Sequence, residues 1–353
     1  MKKGLFCLGI IILIVGILFL VFFGLKKINS VDNVKEINFY YWWDYIGEEI
    51  IKDFEKESGI KVNNYIFETE HEMLQEMRLN SQTYDVVGTI ETVMSDMINE
   101  GLLLPINKTN IPNLRVVDER CFINGSEKFI DYAIPHAWGT TGIIINTKYI
   151  PEDTDSWGVL WDPKYSGKIV LLNNIDDLLV MASKYLGFSL IPQNKEEFDE
   201  VRKALLEQKS LVSEYEEYLL MVDDLVSEKI WAAQIYDGTA REAISLNNNL
   251  KYIVPKEGTL KWVDYLTISS KTKNKADAER FINYLLSPEV DAKITNYSLY
   301  SSCNFESRPL MNQMILDSEI PFENFSKIQS MYEVLESEEI KELKMNLLNE
   351  LIE

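Results

Sequence analysis

A chain of 353 residues with 46% hydrophobic content has material for one large domain or two ordinary ones around a sizeable core. Its formal net charge of -21 works against nucleic acid or an anionic membrane surface as a direct partner, since both would be repelled, and favours a cationic solute. Cys7, Cys121 and Cys303 form neither a CxxC pair nor a metal-ligand spacing; with Cys7 in an apolar leader, only Cys121 and Cys303 remain to pair, and their spacing does not call for it.

Residues 1–25 read as a signal segment or membrane anchor. Positions 5–23 are apolar or glycine throughout, flanked by Lys2-Lys3 and Lys26-Lys27, a length that crosses a hydrocarbon core of about 30 Å as a helix. The segment directs the remaining chain out of the cytoplasm, to the periplasm or the outer face of the membrane. Its length, and the lack of a small-residue cleavage site after it, favour a retained anchor. Cys7 stands at the start of the apolar run, where a lipoprotein cysteine would stand at its end. Residues 26–35 form a polar linker.

Glu36 to Trp42 is strand-like and an amphipathic helix begins at Gly47, so Trp43, Asp44 and Tyr45 fall on the connecting turn. Such turns at the carboxyl edge of open α/β sheets bind ligands. Aromatic faces attract cations and a carboxylate accepts charge-assisted hydrogen bonds, so this run favours an organic cation. Taken singly, each ring also reads as core. Residues 59–67 read as a second strand, 70–80 as a helix, 84–89 as a buried strand and 92–100 as a helix stopped by Gly101. The alternation implies a mainly parallel sheet with helices on both faces.

Residues 133–146, with two glycines and two threonines between apolar runs, suit an extended crossing segment. Trp157 to Trp161 reads as a short helix and 169–172 as a strand, whose polar turn Asn173 to Asp177 leads into a helix over 178–185. Residues 195–229 read as helical and highly charged. A strand over 230–236 precedes Asp237 and a helix through Ile244, and a strand over 262–268 sets Trp262 and Asp264 on one face. From about 276 onward the chain reads as helical.

Together, the runs Phe39 to Tyr45, Gly59 to Val62, Tyr84 to Val87, Ile134 to Gly142, Leu160 to Gly167 and Pro255 to Gly258, with Trp262-Val263-Asp264, resemble the spermidine/putrescine-binding proteins of bacterial ABC importers. The resemblance covers nearly the whole chain after residue 36. It implies a type II periplasmic-binding-protein fold, α/β, with two discontinuous lobes, a hinge and a ligand cleft between them. Lobe 1 would comprise 36–138 plus about 267–311, and lobe 2 would comprise 139–266 plus about 312–353, with the chain crossing near 137–142 and 262–268. It further implies a monomer that holds putrescine or spermidine, without a cofactor, and delivers it to permease subunits, with the ATPase engaged indirectly.

The ligand positions that carry over are Trp42, Trp43, Asp44 and Tyr45, then Asn174 and Asp177, Tyr236 and Asp237, and Trp262 with Asp264. The last is the strongest match, as the partner of an amine. The chain departs from the family at Trp43, which replaces a smaller hydroxyl residue, and at Ile90, Glu91 and Thr92. It departs again at Asn174, where some members have Asp, and at Tyr236, which stands for tryptophan.

Three other readings compete. An enzyme has little to work with: His71-Glu72-Met73-Leu74-Gln75 lacks the second histidine of a zinc-protease helix, only His136 remains besides, and neither a Walker loop nor GxSxG occurs. Adjacent acids such as Asp176-Asp177 and Asp223-Asp224 suit a solvated face better than a glycosidase pair. A ligand-binding partner of a membrane sensor would need a signalling subunit, because only Met1 to Gly4 would stay inside. Another solute on the same fold would require, for an anion, arginines and helix amino termini at the cleft, where the turns here carry Asp44, Asp177 and Asp264.

Overall fold

The computed structural model describes residues 35–43, 45–79, 82–122, 129–216, 220–317, 328–330 and 338–352. The anchor expected over 1–25, almost all of the linker, and Asp44 lie outside them. Among the described residues no helix is long and apolar enough to cross a membrane.

Runs rich in β-branched and aromatic residues form the strands. They are β1 (Lys35–Trp42), β2 (Ile60–Phe67), β3 (Val86–Ile90), β4 (Ala133–Asn146), β5 (Ile169–Leu172), β6 (Val212–Glu216), β7 (Ala232–Tyr236), β8 (Leu250–Ile253), β9 (Thr259–Ile268), β10 (Ser301–Ser302) and β11 (Ile328–Ser330). Their order is β2-β1-β3-β9-β4-β7-β5-β6, with β8 and β10 also on β4 and β11 on β9. β1 runs parallel to β2 and β3, and β5 runs parallel to β6 and β7. The long strands β4 and β9 are antiparallel to their neighbours in the middle of the sheet.

One apolar core gathers side chains from Ile37 to Trp138 and from Val263 to Cys303. Two others pack on the opposite faces of the β4–β7–β5 region, around Ile145 and Leu171 on one side and Ile144 and Val170 on the other. Strand alternation accounts for that split. β4 is buried over its whole length and passes from the first core at Trp138 to the others at Ile143. Gly139 lies on this passage because a β-carbon there would overlap both the Trp262 ring and the Asp237 carboxylate.

Helices follow the carboxyl ends of parallel strands. Glu70–Leu79 follows β2, Glu91–Asn99 follows β3 directly, Ile175–Leu186 follows β5 and Asp237–Leu246 follows β7 directly. All of them carry acids in the first turn, where the macrodipole and unpaired N–H groups favour them.

The stretch read as helical over 195–229 divides into helix Lys195–Lys209, strand β6 and helix Met221–Val226. Charge masked the strand: in Val212-Ser213-Glu214-Tyr215-Glu216, at an edge where polar residues are tolerated, Glu214 is exposed and Glu216 is half-buried. The tail read as helical carries the short strands β10 and β11 between its helices. Cys121 and Cys303, which spacing gave no reason to join, are disulfide-bonded across a sequence separation of 182. Around them Asp118 N–H donates to the Cys303 carbonyl at 2.7 Å and Val117 bridges Asn304, so antiparallel pairing brings the two sulfurs together.

Closing so long a loop restricts the unfolded chain. Replacing both cysteines by serine is expected to remove about 2–5 kcal/mol of unfolding free energy, measured as a lower denaturant midpoint with a steeper slope, since the unfolded chain is no longer cross-linked. An unchanged midpoint would mean that the backbone pairing alone holds this junction.

Candidate functional site

The carboxyl ends of β1, β3, β5 and β7 and the middle of β9 converge on one cavity of about 140 Å³. That volume holds several waters, at about 30 Å³ each. Its walls are aromatic. Trp42 packs on Phe67 with ring centres 4.4 Å apart. Tyr45 stacks on Tyr300 at 5.2 Å, Tyr300 meets Trp262 edge-on at 5.2 Å, and Trp262 meets Tyr236 edge-on at 6.0 Å. The rings fix one another in the stacked and T-shaped arrangements that their quadrupoles favour.

Acids lie between these rings. Glu68, Glu70, Glu91, Asp176, Asp177, Glu216 and Asp264 all border the cavity, and none of the described residues bordering it is a lysine, arginine or histidine. Asp264 is 3% exposed and its Oδ1 accepts the Trp42 indole N–H at 3.1 Å. Burial pushes its carboxyl up to about 8; the Tyr45 hydroxyl and the Trp42 indole pull the other way, and Glu91 adds to the rise. Asp177 is 4% exposed, accepting the Thr141 hydroxyl and the Tyr236 phenol at 2.7 Å each. Burial raises it to about 6 in spite of those two donors. Glu70, at the first turn of its helix, is raised to about 7 by burial and then by Asp176. Glu91 is buried, with Oε2 accepting the Val263 N–H at 3.3 Å.

Among the described residues, no lysine or arginine offsets the burial of Asp264 and Asp177. A cation entering the cavity would do so, and its apolar parts would rest against the rings. An anion would meet only like charge.

Of the residues anticipated from sequence, Trp42, Tyr45, Asn174, Asp177, Tyr236, Trp262 and Asp264 border this cavity. Asn174 does so as a helix cap: its side-chain oxygen accepts the N–H groups of Asp176 and Asp177 at 2.9 and 3.3 Å. Trp43 does not border it. The turn carries that ring to a separate surface hollow beside Ile66 and Tyr297, where it is 43% exposed. Asp237 also lies off the cavity, fully buried behind β4, where Arg241 pairs with it at 2.8 Å and Thr140 N–H donates to it at 3.0 Å.

Glu68, Glu70, Asp176, Glu216 and Tyr300 also border the cavity without being anticipated as ligand positions, as does Glu91, expected only as a departure from the family. Glu70 and Asp176 carry a usable signal, since each opens a helix just after a strand. Tyr300 carries none in sequence, because only the pairing of β10 with β4 brings it to the rings. Neither histidine reaches the cavity. His71 is exposed on its helix, and His136 is buried at an irregularity of β4, where burial pushes its ring down to about 4.

The folded chain holds the Asp264 proton until about pH 8, whereas an unfolded aspartate releases it near about 3.9. Stability of the ligand-free protein therefore falls as pH rises between those values. Asp264→Asn removes this dependence, so the variant should melt at a higher temperature than the wild type at pH 8, with the gap closing toward pH 4. A variant less stable than the wild type at pH 8 would contradict the uncompensated state of Asp264.

A profile of the family described as bacterial extracellular solute-binding protein matches residues 81–329. The chain is 27% identical over 311 residues to the spermidine/putrescine-binding periplasmic protein of Escherichia coli (strain K12), covering 87% of this chain and 88% of that protein. To the putrescine-binding periplasmic protein SpuD of Pseudomonas aeruginosa it is 26% identical over 306 residues, covering 81% and 83%. Among solved structures, the spermidine/putrescine ABC transporter substrate-binding protein PotD of Streptococcus pneumoniae superposes with a TM-score of 0.78 at 24% identity, over 90% of this chain and 98% of that one. A structure from Listeria monocytogenes superposes with a TM-score of 0.81 at 28% identity, again over 90% and 98%. The architecture is thus the α/β fold of periplasmic binding proteins.

Proposed function

The chain belongs to the bacterial extracellular solute-binding proteins, and we propose that it captures a linear polyamine, putrescine or spermidine, for an ABC importer. It is a binding component rather than an enzyme, as its relatives are. The observation that carries the ligand assignment is the cavity itself: aromatic walls, buried carboxyls and, among the described residues, no bordering cationic side chain. A polyamine offers ammonium groups separated by methylene runs, and the cavity offers their complements. Asp264 and Asp177 receive ammonium groups, while Trp42, Tyr45, Tyr236 and Trp262 enclose the methylenes. Each desolvated ammonium–carboxylate hydrogen bond contributes about 1.5–3 kcal/mol and each cation–π contact about 0.5–2 kcal/mol. Asp44, which the resemblance offers as a further ligand carboxylate, lies outside the described residues.

Two lobes close on the ligand, one built from 36–138 plus about 267–311 and the other from 139–266 plus about 312–353. β4 and β9 run between them as the hinge. Closure gains contacts from both sides only when the ligand is present. The protein acts as a monomer outside the cytoplasm, tethered by residues 1–25, and passes its ligand to the permease subunits. An oxidising compartment suits the Cys121–Cys303 bond.

Calorimetric titration of the ligand-free protein with putrescine, spermidine and spermine, with glucose and phosphate as controls, tests the assignment. Saturable binding of a polyamine alone is expected, and Asp264→Asn should weaken it at least about tenfold while the protein stays folded. Binding of glucose or phosphate in place of polyamines, or unchanged affinity in the variant, would remove it.

Ammonium binding requires Asp264 and Asp177 to ionise, so binding at pH 7 releases protons, chiefly from Asp264. Affinity should then rise from pH 6 to pH 8, and the measured heat should vary with the ionisation enthalpy of the buffer. An affinity flat across that range would show that the raised carboxyls do not face the ligand.

A further inference from the structure

The helix Glu338–Ile352 places a lysine where its apolar stripe would continue. Leu347 and Leu351 are buried in the core around Val201 and Leu205, and Leu348 packs against it. Lys344 precedes these leucines by the three, four and seven positions that share one helical face. The face is firmly docked: Arg202 Nη2 reaches Glu350 Oε2 at 2.5 Å, and Lys209 Nζ donates to the Glu350 carbonyl at 2.8 Å.

Docking brings the Lys344 ammonium onto the carboxylate of Asp176, a residue that borders the cavity while Lys344 itself stands behind it. The two side chains are 12% and 26% exposed, so the pair is largely out of solvent, unlike most ion pairs of this chain. Asp176 borders the cavity beside Asp177 and Glu70, and Lys344 is close enough to counter the rise of the Glu70 carboxyl. An ammonium at the end of a four-carbon stem, held against a cavity carboxylate, has the chemistry of one end of a diamine.

We propose that Lys344 is a specificity-determining residue, an ammonium of the chain itself that fills the Asp176 seat and so limits how many charges a bound amine can place in the cavity. The inference rests on the reading of the cavity as a polyamine site. With Lys344 in place, a diamine uses Asp264 and Asp177, and a third ammonium has to displace the lysine. Without Lys344, Asp176 is left uncompensated beside two other acids, and a ligand with an extra ammonium gains selectively.

The test is the affinity of the purified protein for putrescine, spermidine and spermine in wild type, Lys344→Met, Lys344→Arg and Asp176→Asn, with a thermal melt of each. In Lys344→Met the spermidine-to-putrescine and spermine-to-putrescine affinity ratios should rise at least about tenfold, one further charge-assisted contact being of that order. Lys344→Arg should keep the wild-type ratios, and Lys344→Met should have no effect on them in the Asp176→Asn background. Lys344→Gln serves as the second neutral variant should Lys344→Met fail to fold. Ratios within about twofold of wild type in a folded neutral variant would overturn the assignment. Wild-type protein that binds no polyamine would overturn the reading of the cavity, and this inference with it.

Discussion

Carboxyls taken out of water without a cationic side chain beside them are the constraint on which the rest of this structure turns. Ionised and unpaired, Asp264 and Asp177 would destabilise the fold by several kcal/mol each. The chain moderates that cost with neutral donors: Trp42 for the first, Thr141 and Tyr236 for the second. These donors orient the carboxyls without supplying a charge. The site is left with an unmet demand for positive charge that a ligand can satisfy, and the fold holds it open through rigid neighbours. Asp237 shows the contrast. It is equally buried, but Arg241 compensates it, and it takes no part in the cavity.

The aromatic walls depend on the same strands that carry the acids. β9 delivers Trp262 and Asp264 together, because alternate residues share a face. β4 can lie close enough for Trp262 to fit only because position 139 has no β-carbon. Tyr300 closes the wall from a distant part of the chain, set by β10 on β4 and by the disulfide at Cys303, just after that strand. Site and scaffold are therefore not separable in this region, and a change at the crossing strands alters both packing and ligand contact.

Much of the fold was legible because its signals are local. The alternation in β1 and β9, the helix starts after β2 and β5, and the glycine-broken run of β4 all carry their own periodicity or punctuation. β6 was missed because its residues are charged at an edge, and β10 because two residues carry no period. The site was legible where a strand end and its polar turn lie together, as at Trp42 and Tyr45 or Asn174 and Asp177. Local pattern could have paired Arg241 with Asp237, four positions apart on one helix, but could not foresee that Trp43 turns outward or that Tyr300 completes the lining. Each of those is settled by which element packs opposite, a tertiary fact. The cysteine pair is of the same kind, since antiparallel pairing of distant segments sets the distance between Cys121 and Cys303.

Under the polyamine reading the buried carboxyls of the cavity receive the ammonium groups of the ligand. A crystal structure of the protein with putrescine addresses this most directly. One ammonium is expected within hydrogen-bond distance of Asp264 and the other at Asp177, with the methylenes against Trp262 and Tyr236. Putrescine seated away from both carboxyls, with Asp264 still facing only Trp42 and Tyr45, would contradict that reading.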